Sequence, residues 1–179
     1  MRERARQGVV VAIATTISLA GCAHSAGECD DTPGSRTLDV GRLTEGAFVP
    51  FHDGEVISVV NGFQGGMWVM PAVEMTGVVP GGHMAGSMAL WEGALLGEDG
   101  HDVRLEAGAG GALLLRYIPI PVGSAPTSPP VAELDGRIAI LTTSFVDDCG
   151  TVVEYHRTLQ LKIEGGPPVM PPSVQQAQP

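Results

Sequence analysis

The sequence predicts an all-β fold, an antiparallel β-sandwich, and three observations lead to this prediction. Short apolar runs recur through the middle of the chain, with turn-forming Gly, Asp and Pro residues between them. The 25 glycines are scattered at short intervals, which argues against long uninterrupted helices. The last apolar run alternates between apolar and polar residues, as a strand with one wet face does. We therefore expect one β-sandwich domain over residues 47–164.

Eight segments have the length and composition of strands. They are Phe48–Phe51, Glu55–Val60, Gly66–Met75, Ser87–Trp91, Val103–Leu105, Ala112–Ile118, Arg137–Val146 and Val152–Ile163. Turn chemistry separates them at His52–Gly54, Pro80–Gly82, Glu98–Gly100, Gly108–Gly111 and Asp147–Gly150. A Pro/Ser-rich stretch, Pro121–Pro130, is predicted to be a longer loop across one end of the sheet. Short strands at this spacing suggest a sandwich that is immunoglobulin-like in outline.

The segment Val152–Ile163 gives the clearest alternation. One predicted face carries apolar side chains with Arg157 as the exception, and the other face is polar. An alternative remains for residues 83–97. Met84, Met88, Trp91 and Leu95 recur there at helical spacing, but the intervening glycines favour a strand.

The first 22 residues have the features of an export signal. Three arginines precede an apolar stretch from Gly8 to Ala20, which is too short to span a bilayer. The sequence Leu19-Ala20-Gly21-Cys22 follows and resembles the lipobox of bacterial lipoproteins. This resemblance implies a signal peptide over residues 1–21, cleavage before Cys22, and acyl chains on that cysteine. Two or more acyl chains anchor a protein stably in a membrane. Because Ala23, and no aspartate, follows Cys22, the resemblance also implies the outer membrane.

Two segments flank the predicted domain. Residues 22–46 are small and polar, and we expect a lipidated flexible tether. Residues 165–179 are rich in Pro and Gln and have little to bury, so we expect a disordered tail.

The charge balance is acidic. The chain has 20 acidic and 10 basic residues, and removal of residues 1–21 leaves 19 acidic and seven basic residues, a net charge of −12. Lys162 is the only lysine. Because phosphate binding needs clusters of Lys and Arg, we expect no nucleic-acid partner.

Two cysteines remain beside the lipidated one. An exported chain with an even remainder predicts a disulfide between Cys29 and Cys149. Asp30 and Asp31 follow the first cysteine, and Asp147 and Asp148 precede the second. Four carboxylates near one bridge could bind Ca²⁺, which takes about six to eight oxygen ligands. The alternative is that these aspartates only form turns.

Sulfur and imidazole groups crowd one region of the chain. Thioether and imidazole ligands suit Cu(I), so the sequence offers a candidate copper site. A strand would point some of these side chains to opposite faces, and methionine also fills irregular cores. The candidate copper ligands are Met67, Met70, Met75, His83, Met84 and Met88.

Catalytic and cofactor motifs are missing from the sequence. The five histidines, at positions 24, 52, 83, 101 and 156, show no recurrent zinc spacing, and there is no Gly-x-Ser-x-Gly motif. The run Gly62-Phe63-Gln64-Gly65-Gly66 lacks the lysine of a phosphate-binding loop and is predicted to be a turn. We therefore expect no enzymatic activity and no cofactor.

The domain also resembles lipoproteins of GC-rich Gram-negative bacteria that have no assigned activity. The resemblance rests on the run from Phe48 to Gly54 and on the run from Gly62 to Gly66. It implies an envelope protein and supplies no site residues. The sequence favours a lipid-anchored, non-enzymatic binding or adhesion module whose partner is an envelope protein or a glycan. An accessory subunit of an envelope complex and a periplasmic copper carrier are the alternatives.

Overall fold

The computed structural model describes residues 29, 35–62 and 65–165. The predicted signal peptide, Cys22 and the tail beyond residue 165 lie outside the described residues. The residues that build the sheets belong to one compact unit, Asp31–Pro179. Its strands are β1 (Thr37–Thr44), β2 (Ala47–Pro50), β3 (Glu55–Asn61), β4 (Met67–Val69), β5 (Ala72–Thr76), β6 (Gly81–Leu90), β7 (Leu95–Arg104), β8 (Glu106–Ala107), β9 (Leu113–Leu115), β10 (Ile120–Val122), β11 (Ile138–Asp147) and β12 (Val152–Ile163).

The strands form two sheets, and this confirms the predicted sandwich. One sheet has five strands in the order β2-β1-β5-β9-β8, and the other has seven in the order β10-β4-β3-β12-β11-β6-β7. Neighbouring strands pair antiparallel except β3 and β12, which run parallel in the larger sheet. The pairing of β12 with β3 brings together residues about one hundred positions apart, such as Leu161 and Ile57.

The core lies between the inner faces of the two sheets. Val73 and Met75 of β5 face it from the smaller sheet, and Met84, Leu141 and Phe145 face it from the larger one. All five side chains are fully buried. Each strand thus contributes alternate residues to the core, as the period of two requires.

The domain begins before the predicted boundary. Strand β1 lies inside the segment that the sequence predicted to be a flexible tether over residues 22–46, and this part of the prediction is wrong. Leu38 and Val40 of β1 are buried, and β1 pairs with both β2 and β5. Two buried residues on a central strand stabilise that strand more than the neighbouring small polar residues disfavour it.

Strands β6 and β7 form a long hairpin, and the predicted strand Ser87–Trp91 falls within β6 except for its last residue. The helical alternative for residues 83–97 is wrong, because these residues belong to the two strands and the turn between them. The predicted turn Glu98–Gly100 lies inside β7. The actual turn follows Leu90 and uses Gly93, whose φ of +98° suits glycine. Charged residues are common on strands at a sheet edge, and β7 is such a strand.

The beginning of β7 is covered by the segment after β10. The backbone N–H groups of Gly123 and Ser124 donate to the Leu96 carbonyl at 2.9 and 3.1 Å. A Cβ atom at Gly97 would lie 2.0 Å from the Pro121 carbonyl oxygen, so only glycine fits there. The predicted loop Pro121–Pro130 therefore includes the end of β10 and closes one edge of the larger sheet.

Arg157, the exception in the alternation of β12, occupies the rim of the core. Its guanidinium carbon lies 4.8 Å from the centre of the Tyr155 ring, and its Nε donates to the Tyr155 hydroxyl at 2.6 Å. The same guanidinium reaches the Asp53 carboxylate at 3.3 Å. These contacts raise the pKa of Arg157, chiefly through the Tyr155 hydrogen bond. A charged residue is accommodated at an inward position because its charge is paired.

Candidate binding groove

The outer face of the larger sheet carries polar and small side chains in register. The residues that alternate with the core positions of β6, β11 and β12 point away from the smaller sheet. Ser87 pairs with Thr142, and Thr142 pairs with His156. Ala85 pairs with Ser144 two positions along β6. The pairing thus sets short side chains side by side across three strands.

These short side chains form the floor of an open groove. The groove has a volume of about 510 Å³, and small or hydroxyl-bearing residues supply most of its lining. A Cβ at Gly100 would lie 3.1 Å from His83 Nε2, so His83 leans over this glycine at one side of the groove. The lining residues are Ala85, Gly86, Ser87, Glu98, Asp99, Gly100, Thr142 and Ser144.

Acidic and imidazole groups border the groove. Glu98 on β7 pairs with Ser87, and Glu154 on β12 pairs with Ser144, so a carboxylate stands on each side. His83 Nδ1 lies 2.9 Å from Asp102 Oδ1. His156 Nδ1 lies 3.1 Å from the Thr142 hydroxyl. The groove therefore has hydrogen-bonding groups on its floor and negative charge on both sides.

Exposed large apolar side chains are concentrated on this same face. Val146 pairs with Val152 at one end of the sheet, and Ile138 lies at the other end next to Trp91, whose backbone N–H donates to the Ile138 carbonyl at 3.0 Å. Trp91 is 66% exposed. Four of the exposed large hydrophobic residues of the described chain occupy outward positions of the larger sheet, and the fifth, Trp91, lies in the turn between β6 and β7. The four are Val56, Ile138, Val146 and Val152.

The candidate calcium residues do not form a metal site in the described chain. Asp147 is buried, and its carboxylate accepts backbone N–H groups from Val79 at 3.2 Å, Cys149 at 3.0 Å and Thr151 at 2.7 Å. Within residues 29, 35–62 and 65–165, no three His, Cys, Asp or Glu residues are arranged to hold a metal ion. Asp147 is thus a turn-forming residue, as the alternative interpretation proposed. Asp30 and Asp31 lie outside the described residues.

The six candidate copper ligands do not lie on one side of the larger sheet. Met84 and Met88 of β6 are buried in the core, as is Met75 of β5. His83 alternates with Met84 and points outward, to Asp102. Met67 packs at the edge of the core, and Met70 is half-buried between β4 and β5. The sheet separates the imidazole from the buried sulfurs, and the methionines fill the core as methionine commonly does.

The two remaining cysteines are both in the disulfide-bonded state. Cys149 lies two residues after Asp147, and the sulfur atoms of both Cys29 and Cys149 are in disulfide bonds. This is compatible with the predicted pairing of Cys29 with Cys149. The groove lies elsewhere, on the β6–β11 face.

The other sequence candidates lie in turns or on the edge strand β7. His52 lies in the turn between β2 and β3, whereas His101 lies on β7, where its Nδ1 is 3.3 Å from Asp99 Oδ2. Gly62, Gly65 and Gly66 connect β3 to β4, as the turn prediction required, while residues 63 and 64 lie outside the described residues. The groove could not be predicted from the sequence. The only local sign of it is a run of small residues, Ala85 to Ser87, and the residues of β11 that lie beside them are known only once the strand register is known.

Comparison with known proteins gives limited similarity. No protein-family model matches the chain, and no curated protein matches its sequence. The crystal structure of CopC from Methylosinus trichosporium OB3b aligns with 64% of this chain and 88% of its own, at 13% identity and a TM-score of 0.30. The periplasmic chaperone SfaE aligns with 79% of this chain and 62% of its own, at 12% identity and a TM-score of 0.31.

The helical segments of the described chain are short 3-10 turns. Among the described residues, no helix has the length and apolar character needed to cross a bilayer.

Proposed function

We propose that this protein is a non-enzymatic binding module of the bacterial envelope that is anchored to the outer membrane by acyl chains on Cys22. It binds an envelope partner through the outer face of its larger sheet. The anchor is supported by Leu19-Ala20-Gly21-Cys22, which resembles the lipobox of bacterial lipoproteins. The disulfide-bonded state of Cys29 and Cys149 supports export, since structural disulfides persist in oxidising compartments.

A single observation carries the binding proposal. The open groove and four of the five exposed large hydrophobic residues of the described chain occupy one face of one sheet, and the fifth, Trp91, lies in the turn beside Ile138. Single apolar residues scattered over a surface need no explanation, but their concentration around a groove is typical of an interaction site. A rigid sheet holds these residues in place before the partner arrives, which lowers the entropic cost of binding.

The test places a photo-crosslinking amino acid on each face of the sandwich in the native host. Benzoylphenylalanine at Thr142 probes the groove, and the same residue at Asp39, on the outer face of the smaller sheet, is the control. We expect a discrete adduct from Thr142 and none from Asp39. The adduct disappears when Ser144→Trp fills the groove. Equal adducts from both positions, or an adduct that Ser144→Trp leaves intact, contradicts the proposal.

The anchor has a separate test. Cys22→Ser removes the site of acylation and is expected to move the protein from the membrane fraction to the soluble fraction of the host. Mass spectrometry of the wild-type chain is expected to find acyl chains on residue 22. An unmodified Cys22, or a retained leader, contradicts the anchor without affecting the groove.

The exposed apolar residues also favour a second candidate function, that of an accessory subunit in an envelope complex. Such a subunit remains bound to its partner, because apolar contacts are typical of stable interfaces. A partner that comigrates with the uncrosslinked protein through gel filtration at a constant ratio indicates an accessory subunit. A partner found only after irradiation indicates a transient binding module.

A further inference from the structure

The charged residues that line the groove are all acidic. Glu98 and Asp99 contribute to its lining, and no Lys or Arg does. Glu154 stands on the opposite side, paired with Ser144. In the described part of the chain, no salt bridge engages Glu98 or Glu154, whereas the other acidic residues near the groove, Asp99 and Asp102, each have a histidine partner. Two carboxylates therefore remain available to a ligand from outside.

The floor allows a ligand to approach closely. Ala85 presents only a methyl group on β6, and Ser87, Thr142 and Ser144 offer hydroxyl groups. Strands β7 and β12 stand three strand spacings apart, or about 14 Å. This width fits a single extended chain between the two carboxylates. The volume of about 510 Å³ limits the occupant of the groove to a short segment.

The apolar residues at the two ends of the groove indicate which class of ligand the groove binds. Val146 and Val152 lie beyond one end of the groove, and Ile138 and Trp91 lie beyond the other. Aliphatic side chains favour the apolar residues of a protein over the hydroxyl groups of a sugar polymer. A second copy of this chain would bring its own carboxylates against Glu98 and Glu154, which like-charge repulsion disfavours.

From these three features, and resting on the proposed function, we infer that the groove binds an extended protein segment that carries a lysine or arginine between apolar residues. The cationic group lies between Glu98 and Glu154, the backbone lies over Ala85, and the flanking apolar residues contact the exposed valines and Trp91. Charge complementarity of this kind increases the rate of association and excludes acidic partners.

The test uses defined probes on the full chain in detergent. The probes are a seven-residue Val/Ser/Lys peptide, the same peptide with Gln or with Glu in place of Lys, and a chitosan oligosaccharide that carries amines without apolar side chains. Isothermal titration at low and high salt measures the affinities. We expect the Lys peptide to bind at least about tenfold more tightly than the Gln peptide, and the Glu peptide not to bind.

Variants then test the two carboxylates. Glu98→Gln combined with Glu154→Gln is expected to weaken the Lys peptide about tenfold and to remove most of its salt dependence. Glu133→Gln, an exposed acidic residue away from the groove, is the control and is expected to leave the affinity unchanged. Near-ultraviolet circular dichroism confirms that each variant is folded.

Three other results of the titrations would contradict the inference about the ligand. Equal binding of the Lys and Gln peptides overturns the inference about charge but leaves the proposed binding face intact, provided that Ser144→Trp abolishes both. Tighter binding of the oligosaccharide assigns the groove to an amino sugar and overturns the protein segment. Absence of binding by the Lys peptide overturns the inference, and the crosslinking at Thr142 then decides the proposed function independently.

Discussion

The carboxylate of Asp147 lies 2.7 Å from the backbone nitrogen of Thr151 and closes the turn between β11 and β12. It also accepts the N–H groups of Cys149 and Val79, the latter from the segment before β6. One buried side chain therefore satisfies three backbone donors that the sheet leaves unpaired. The residue that the sequence offered as a calcium ligand is instead a structural link between two hairpins.

Replacement of Asp147 by alanine is expected to be strongly destabilising. The three N–H groups lose a charged acceptor in a buried position, and we expect the free energy of unfolding to fall by about 3 kcal/mol. Urea denaturation measures the change. Asp39→Asn, an exposed position on β1, serves as the control and should shift the midpoint little. Equal midpoints for Asp147→Ala and wild type would refute the role of the turn.

Reduction of the disulfide is expected to destabilise the domain. In the chain-entropy model, closure of a loop as long as that between Cys29 and Cys149 stabilises by about 5 kcal/mol. Non-reducing peptide mapping should recover the two cysteine peptides as one linked species. Cys149→Ser should lower the thermal midpoint as much as reductant does, whereas Cys22→Ser should not. Recovery of either cysteine in another linkage would contradict the pairing.

Thr143→Val is expected to stabilise the protein. Thr143 is fully buried on β11, and within the described ranges its hydroxyl has no hydrogen-bond partner. Valine has nearly the same shape and removes the buried polar group, so we expect a gain of about 1 kcal/mol. The matched control is Thr142→Val on the outer face, which loses the hydrogen bond to His156 and gains nothing by burial. The two variants are compared by chemical denaturation.

Acid is expected to weaken the contact between Glu55 and Arg42. The hydrogen bond from Arg42, followed by that from the His52 backbone N–H, lowers the pKa of Glu55 below its ordinary value of 4.5. A carboxyl whose pKa is lower in the folded state stabilises the fold above the unfolded pKa. That contribution is lost as the pH falls from about 4.5 through the folded pKa.

Glu55→Gln tests this contact. At pH 7 the variant should be less stable than wild type by about 0.5 kcal/mol, because solvent screens a partly exposed pair. The difference should shrink below pH 4.5, where the wild-type carboxyl becomes protonated. Thermal unfolding across the pH range measures both stabilities. A difference that does not depend on pH would show that the charge of Glu55 is irrelevant.

Peroxide should distinguish the methionines by burial. Met75, Met84 and Met88 are 0% exposed, and we expect their oxidation in the folded protein to be much slower than that of Met67 and Met70. Peptide mass spectrometry after brief peroxide treatment measures each rate. Denatured protein, in which all five should react alike, is the control. Rapid oxidation of Met84 in the folded protein would show that it is accessible, as a copper ligand must be.

Several elements were predictable because their signals are local. Strand β12 was predicted as Val152–Ile163 and has these bounds in the structure. Its alternation is visible because it lies in the middle of a sheet with one face buried. Strand β7 was missed beyond Val103–Leu105. As an edge strand it carries Glu98 and Asp99, which are typical of turns in a sequence.

Strand β1, by contrast, could not be predicted from its own sequence. Leu38 and Val40 alternate with polar neighbours, but the pattern is too short to distinguish a strand from a tether by itself. Its two partners, β2 and β5, make it a central strand of the smaller sheet. The contact that stabilises it comes from residues more than thirty positions away, such as Thr76 opposite Thr37.

The β-sandwich could be predicted from the sequence alone, since alternation and turn chemistry are properties of neighbouring residues. The candidate residues for a lipid, a disulfide or a metal could also be named from the sequence. Which of these residues lie close together is visible only in the tertiary structure. Strand order and register place Ser87 beside Thr142 and separate His83 from Met84, because strand pairing joins positions that are distant in the chain. The groove exists only through that pairing.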